Sequence, residues 1–205
     1  MATAMNDDQD PSQRRTSIGA QRNPASQEAI LQAATEILAE RGPGSFSIEA
    51  VAKRAKAGKP TIYRWWPNKA ALLLDAYHRQ KNPHLHGDTG DLQRDLTRFL
   101  MELLAFWRRG GSGAIFRSVI AEAQTDQAAC EALAAYLAER RKHLGSQIRA
   151  AQAREDVRPG VNPELAAEML SGFAWIRLLT DRLEISEEEA AEAVKIILDG
   201  IRARR

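Results

Sequence analysis

Basic side chains are concentrated in one short segment of the 205-residue chain. Residues 41–69 contain seven Lys or Arg residues and the single acid Glu49, a local charge of +6, although the whole chain carries only +2 from 29 bases and 27 acids. Hydroxyl and aromatic side chains lie among these bases. Side chains of these kinds contact the phosphates and base edges of DNA. The segment therefore predicts a surface that binds nucleic acid, with an ordinary solvated helix face as the alternative.

Three short helices are predicted to position this surface. Ser47 is a candidate N-cap for the second of them, Gly58 begins the third, and Pro67 ends it. The tight turn between the second and third helices fits a helix-turn-helix unit, whose third helix enters the major groove of DNA. This agreement between spacing and charge favours DNA binding. Ile62 and Trp66 are four residues apart and are expected to face inward. The residues left facing outward are Lys59, Thr61, Tyr63, Arg64 and Trp65.

Two stretches of this segment resemble a known family. Ser47-Ile-Glu-Ala-Val-Ala-Lys-Arg-Ala and Thr61-Ile-Tyr-Arg-Trp-Trp-Pro-Asn-Lys69 are similar to the N-terminal domain of the TetR/AcrR family of bacterial transcriptional regulators, and the resemblance covers residues 24–77. It implies base contacts from Thr61 and Lys59. Phosphate contacts are implied for Ser47, Tyr63, Trp65 and Lys69. The predicted DNA-binding set is Ser47, Lys59, Pro60, Thr61, Tyr63, Arg64, Trp65 and Lys69.

The sequence departs from the family pattern at two places. Lys56 lies in the turn where the family usually has Gly, so it is either left-handed and mildly strained or part of an altered turn. Trp65 and Trp66 occupy positions where the family usually has His, Tyr or Phe. An altered turn would change the pitch of the third helix and, with it, the individual base contacts.

The whole chain is predicted to be all-α. Ala and Leu dominate, and no run alternates between apolar and polar residues over the length of a strand. Cap and breaker residues indicate about nine helices, first an N-terminal helix-turn-helix domain and then a helical bundle. Residues 1–22 are predicted to be a disordered tail and 23–80 the DNA-binding domain with a connecting helix, with a linker at 78–90. Residues 81–205 are predicted to be a second domain, for which the resemblance implies ligand binding and dimerisation. The later helices are predicted at 91–108, 114–123, 127–154, 163–183 and from Ser186 to about residue 201.

The resemblance also implies that the second domain binds a small molecule and pairs with a second copy of the chain. Aromatic and aliphatic residues recur along its helices, and pockets between bundle helices are lined mainly by such side chains. Ordinary core packing explains the same pattern equally well. A cavity would suit a largely apolar effector. The predicted lining is Phe99, Leu103, Phe106, Trp107, Phe116, Ile120, Tyr136 and Trp175.

The last two helices are predicted to form the interface between two copies. Residues 165–179 carry apolar side chains around most of the helix, whereas packing on one side requires only one stripe. Ser171 and Gly172 are small enough for another helix to approach closely. Burial within one copy is the alternative to a two-fold four-helix interface. The predicted interface residues are Leu165, Met169, Gly172, Phe173, Val194, Ile197, Leu198 and Ile201.

Several other classes of site are disfavoured. His78, His84 and His86 lack a neighbouring Cys, which argues against a metal site. Residues 110–113 lack the spacing of a phosphate-binding loop and indicate a hinge or a turn. No catalytic constellation follows from spacing, so we expect no enzyme activity, cofactor or metal. The longest stretch without a charged residue, 169–176, is far shorter than the ~20 residues that span a bilayer. The single Cys130 fits a soluble protein of the reducing cytoplasm.

These patterns together predict a cytoplasmic, homodimeric, sequence-specific regulator of transcription. The more specific expectation is a repressor that a small ligand releases from a near-palindromic DNA operator by shifting the population of dimer conformations. One alternative is a DNA-binding regulator whose second domain is packed and binds no ligand, and which is either constitutive or controlled by a partner. The other is an all-helical enzyme.

Overall fold

The computed structural model describes residues 23–80 and 89–201. Within these ranges the chain forms nine α-helices and no β-strand, which confirms the all-α prediction. The predicted disordered tail at 1–22, and His84 and His86, lie outside the described residues. The helices are α1 (Pro24–Arg41), α2 (Ile48–Ala55), α3 (Lys59–Trp65), α4 (Lys69–Arg79), α5 (Leu92–Arg108), α6 (Ser112–Ala123), α7 (Gln127–Ala153), α8 (Pro163–Leu179) and α9 (Glu187–Ile201), with a 3-10 turn at Pro43–Ser45.

The helix starts follow the capping residues of the sequence. The side chains of Asn23, Ser47 and Asn68 accept hydrogen bonds from backbone amides in the first turns of α1, α2 and α4. Such bonds satisfy donors that have no partner within the helix. Ser186, where the last helix is predicted to start, accepts one from the amide of Glu189 in the first turn of α9. Glu189 itself pairs with Arg177.

Three predicted boundaries were wrong. α4 continues through His78 to Arg79, whose side chain pairs with Glu28 of α1. α6 begins at Ser112, so Gly113 is helical. A Cβ at this glycine would lie 2.6 Å from the carbonyl oxygen of Trp107, and the close approach of two backbones explains the residue type. α8 ends at Leu179 rather than near 183, where Asp181 adopts a left-handed conformation with φ of 56°.

The turn between α2 and α3 keeps the conformation that the family's glycine would adopt. Lys56 is left-handed, with φ of 51° and ψ of 39°, and its amide donates to the last turn of α2. The first of the two alternatives for this turn is therefore correct. A non-glycine residue in this region costs about 1–2 kcal/mol. The core beneath the three helices includes Ile30, Val51 and Ile62, which are fully buried.

The remaining helices form a bundle that packs directly on this unit. α7 packs against α8, and α5 packs against α9. α4 contacts α1 on one side and both α6 and α7 on the other. It therefore connects the N-terminal helices to the bundle. None of the helices in the described ranges is both long and apolar enough to cross a lipid bilayer.

Candidate DNA-binding surface and ligand cavity

The outer side of α3 presents a mixed basic and aromatic row. Lys59, Pro60, Tyr63 and Arg64 are exposed and Thr61 is half-buried, while Ile62 is fully buried beneath them. Tyr63 has about half of its surface in solvent. Large exposed aromatic side chains beside cations suit contacts with phosphates and sugars. The side chains predicted to face outward from α3 are thus grouped, except for Trp65.

The two tryptophans at the end of α3 have structural roles. Trp66 is buried, and its indole Nε1 donates to Oδ2 of Asp75 on α4 at 2.7 Å. Trp65 is half-buried and packs against the hydrophobic core, with its ring centroid 6.5 Å from that of Trp66. The expectation of an outward-facing Trp65 therefore holds for only part of its ring. The Trp66–Asp75 hydrogen bond and the packing of the two indole rings hold α3 against α4.

Ion pairs reduce the effective charge of the basic segment. Lys59 pairs with Glu49 of α2, and the hydrogen bond and charge of this carboxylate raise the pKa of Lys59. Arg54 donates two hydrogen bonds of 2.7 Å to the carboxylate of Glu40, which ties α2 to α1. Arg54 therefore stabilises the unit, and the charge available to DNA is smaller than the +6 of the sequence.

The N-terminal end of α4 is bound to the bundle. Lys69 Nζ lies 2.9 Å from Glu122 Oε2, near the end of α6. Asn68 caps α4 with its Oδ1, and its Nδ2 donates to the carbonyl of Ala128 on α7 at 3.0 Å. A residue that the sequence predicts to contact phosphate is therefore in contact with the second group of helices. Ser47, another predicted phosphate contact, uses its hydroxyl as the α2 cap.

A cavity of about 910 Å³ lies among α4, α5, α6, α7 and α8. A volume of this size is within the range of small-molecule sites. Two residues of the predicted set do not line it. Phe106 packs edge-on against Tyr77 with centroids 5.3 Å apart, and Ile120 is half-buried against the core. The six predicted residues that do line it are Phe99, Leu103, Trp107, Phe116, Tyr136 and Trp175.

Stacked rings form one wall of the cavity. The ring of Phe116 is stacked between those of Tyr77 and Trp107, at centroid distances of 5.0 and 5.8 Å, and Trp175 meets it edge-on at 5.6 Å. Trp107 Nε1 donates to the hydroxyl of Tyr77 at 2.7 Å. Burial raises the pKa of Tyr77 and that of Tyr136, so both hydroxyls stay protonated at neutral pH. The wall offers flat, apolar surface to a ligand.

Sequence reasoning missed the polar part of the lining. Charged residues on a long helix are usually solvated, so their types alone gave no signal. The spacing of Tyr136 and Arg140, four residues apart on α7, places them on one helix face and could have drawn attention to the arginine. The polar lining includes His78, Arg79, Arg140, Arg141, His143, Glu168 and Ser171.

The predicted interface residues fall into two groups. Leu165 and Met169 of α8 are more than half exposed, Gly172 is exposed, and Phe173, Ile197 and Ile201 are half-buried. Val194 and Leu198 are buried within a single copy, because this side of α9 packs on α5. These two residues are therefore unavailable to an interface, which corrects the prediction. Ile176 and Leu179, which the prediction omitted, are about half exposed on α8.

Comparisons with known proteins agree with this architecture. A family described as bacterial regulatory proteins, tetR family, matches residues 30–76, and one described as tetracyclin repressor-like, C-terminal domain, matches 86–197. The uncharacterized HTH-type transcriptional regulator YdeS of Bacillus subtilis is 26% identical over 187 residues, which cover 90% of this chain and 94% of that protein. The DNA-binding transcriptional repressor TetR of Mycobacteroides abscessus is 44% identical over 71 residues, 33% of this chain and 37% of that protein.

A solved structure shows the same arrangement. The crystal structure of the TetR family transcription regulator SCO0332 superposes with a TM-score of 0.75 at 29% identity, covering 87% of this chain and 99% of that one. The C-terminal match alone spans more than half of the chain, and the N-terminal match contains the basic row of α3. These relatives are DNA-binding regulators rather than enzymes. The chain therefore belongs to the TetR family of bacterial transcriptional regulators.

Proposed function

We propose that this regulator is a cytoplasmic homodimeric repressor that a small ligand releases from a near-palindromic operator. The observation that carries the proposal is the position of α4. Its C-terminal turn, with Tyr77 and His78, lines the cavity, and its first turn holds Lys69 beside the proposed DNA-binding surface. A ligand that moves one end of this helix must affect the other.

The cavity favours ligand control over a packed, ligand-free second domain. A pocket of about 910 Å³ falls in the size range of small-molecule sites, whereas the helices of a domain that serves only for dimerisation are expected to be close-packed. The DNA-binding transcriptional repressor TetR of Mycobacteroides abscessus is 44% identical to this chain over 71 residues, which supports repression of transcription.

Dimerisation is supported by the exposed side of α8. Leu165, Met169, Ile176 and Leu179 are each at least half exposed, and they recur at intervals of three, four or seven residues with Gly172 between them. This spacing places them on one face of the helix. A contiguous apolar face of this kind marks an interaction surface, and a two-fold axis would pair it with its own copy.

The proposed mechanism is a shift between two dimer conformations. Two recognition helices must lie about 34 Å apart to enter successive major grooves. In the conformation that binds DNA, α3 meets this spacing. A ligand that binds more tightly to the other conformation shifts the population by its difference in affinity.

DNA protection tests the proposed function directly. The full-length protein is titrated onto labelled DNA from upstream of its own coding sequence, and the protected bases are mapped. We expect one protected site with two half-sites about one helical turn apart. Binding of equal strength to all sequences, with no protected site, would contradict the proposal.

Replacement of Lys69 and of Thr61 separates phosphate from base contacts. Lys69→Ala should weaken binding to every DNA sequence by about three- to tenfold and lower the salt slope by about one per contact, because a phosphate contact is lost. Thr61→Ala should mainly reduce the preference for the operator over unrelated DNA. Fluorescence anisotropy at several salt concentrations measures both effects. If both variants change affinity and preference alike, the assignment of contacts is wrong.

Glu122→Gln tests whether the bundle competes with DNA for Lys69. The pair is partly exposed, so its loss should change operator affinity by only about two- to fivefold, and we expect tighter binding because Lys69 is released to phosphate. Glu139→Gln is the matched control, since Glu139 makes a similar ion pair with Lys142 on α7. Unchanged or weaker operator binding by the Glu122 variant would show that the pair does not compete with DNA.

A further inference from the structure

The cavity has a positive side as well as an apolar one. Its lining contains three arginines and one glutamate. Two of these arginines are already paired, Arg79 with Glu28 of α1 and Arg141 with Glu168 of α8. Arg140 is different, because no acid among the described residues forms a salt bridge with it. The positive charge of Arg140 in the cavity is therefore not neutralised by a salt bridge within this part of the chain.

Arg140 is also incompletely hydrogen-bonded. Its Nε is buried and has no hydrogen-bond partner among the described residues, and its guanidinium lies 5.5 Å from the ring centroid of Tyr136. A buried N–H without an acceptor is costly and rare in folded proteins. A guanidinium prefers anions such as carboxylates and phosphates, in which two oxygens accept parallel hydrogen bonds. The ring of Tyr136 contacts the guanidinium of Arg140 from one side but accepts no pair of hydrogen bonds from it.

Neighbouring titratable groups experience the same positive charge. Burial lowers the pKa of His143, and the charge of Arg140 lowers it further. Burial raises the pKa of Tyr136, and Arg140 acts against that rise. His143 therefore tends to be neutral at neutral pH, and the excess positive charge is centred on the arginine.

The apolar wall sets the shape of the rest of the ligand. Phe116, Trp107 and Trp175 present ring faces and edges, which favour offset or edge-on contact with another ring. A ligand whose aromatic ring packs against this wall and whose acid group binds Arg140 would contact both the apolar and the positive side of the cavity.

We propose that the effector is an aromatic acid, bound with its ring system against Phe116 and Trp175 and its anionic group on the Arg140 guanidinium. This proposal about the ligand depends on the proposed function only because it treats the bound ligand as the effector of the regulator. The sequence-based expectation was a largely apolar ligand, and the structure adds a single negative charge to it.

Two dyes that differ in one group test the proposal without DNA. The anionic dye 1-anilinonaphthalene-8-sulfonate and the neutral N-phenyl-1-naphthylamine share one ring system, and the second lacks only the sulfonate. Both are titrated with the full-length protein and with Arg140→Gln, Arg140→Lys and Arg141→Gln, and each is used to displace the other. Circular dichroism and thermal melting check that the variants remain folded.

We expect both dyes to bind wild-type protein and to displace each other. Arg140→Gln should weaken the sulfonate by about tenfold, which corresponds to about 1.4 kcal/mol, and change the neutral dye by no more than about twofold. Arg140→Lys should recover part of the loss, because it keeps the charge without the planar fork. Arg141→Gln should have a smaller effect, since Arg141 already has a carboxylate partner.

Three outcomes would overturn the proposal. These are an unchanged affinity of Arg140→Gln for the sulfonate, an equal loss for both dyes, and the absence of competitive binding by the two dyes. The effect of the sulfonate on operator binding is measured separately. If the dye binds through Arg140 and leaves the operator complex intact, the ligand class holds and ligand release of the repressor does not.

Discussion

Replacement of Met169 by Asp is expected to convert the proposed dimer to a monomer and to lower operator affinity by about 100-fold or more. Met169 is 58% exposed at the middle of the apolar face of α8. A carboxylate there would be buried without a partner in a two-fold interface, and its copy would lie close by. Two linked DNA-binding domains bind an operator about 10²–10⁴ times more tightly than one domain alone, and a monomer loses this advantage.

Analytical ultracentrifugation and operator anisotropy measure the two effects. Ala135→Asp is the matched control, because it places the same charge on an exposed position of a different helix, α7. The control should remain dimeric and bind the operator as the wild type does. A Met169→Asp variant that stays dimeric and keeps its affinity would remove α8 from the interface.

Arg177→Met is expected to lower the free energy of unfolding by about 3 kcal/mol. The side chain is 9% exposed, and it holds the loop between α8 and α9 through the carbonyls of Arg182 and Glu184 and the carboxylate of Glu189. Methionine keeps much of the apolar volume but donates no hydrogen bond. Hydrogen bonds to a charged group are worth about 1.5–3 kcal/mol each, and the loss is partly offset because Glu189 is half exposed.

Thermal unfolding followed by calorimetry should show a Tm about 6–12 °C lower, given about 2–4 °C per kcal/mol for a chain of this size. Arg182→Met serves as the comparison, since the exposed Arg182 side chain donates, among the residues that the structure describes, only to the hydroxyl of Thr180. Its Tm should move by no more than about 2 °C, as for an ordinary surface substitution. Equal shifts for the two variants would show that the buried hydrogen bonds of Arg177 do not stabilise the loop.

Local signals predicted the elements of the DNA-binding surface well. Ser47 caps the helix that it was expected to start, and the four-residue spacing of Ile62 and Trp66 predicted correctly that both face inward. These features depend on residues within one or two turns of each other. A single sequence contains that information.

Features that depend on the approach of distant helices were not predictable. The periodicity of α9 shows that Val194 and Leu198 share a face, but it does not show whether α5 or a second copy covers that face. The unpaired state of Arg140 depends on which acids come near it in space. Glu168 lies 27 residues beyond Arg141 in the sequence and forms an ion pair with it. The charge of Arg141 is therefore neutralised, whereas that of the adjacent Arg140 is not, among the residues that the structure describes.

The length of α4 converts a small rotation into a loss of contact. Its eleven residues span about 16 Å, so a tilt of about 5° around the cavity end moves the first turn by about 1.4 Å. A displacement of that size exceeds what the 2.9 Å contact between Lys69 and Glu122, or the 3.0 Å bond from Asn68 to Ala128, can accommodate as a hydrogen bond. A tilt of only a few degrees at the Tyr77 end of α4 would therefore be enough to break both contacts.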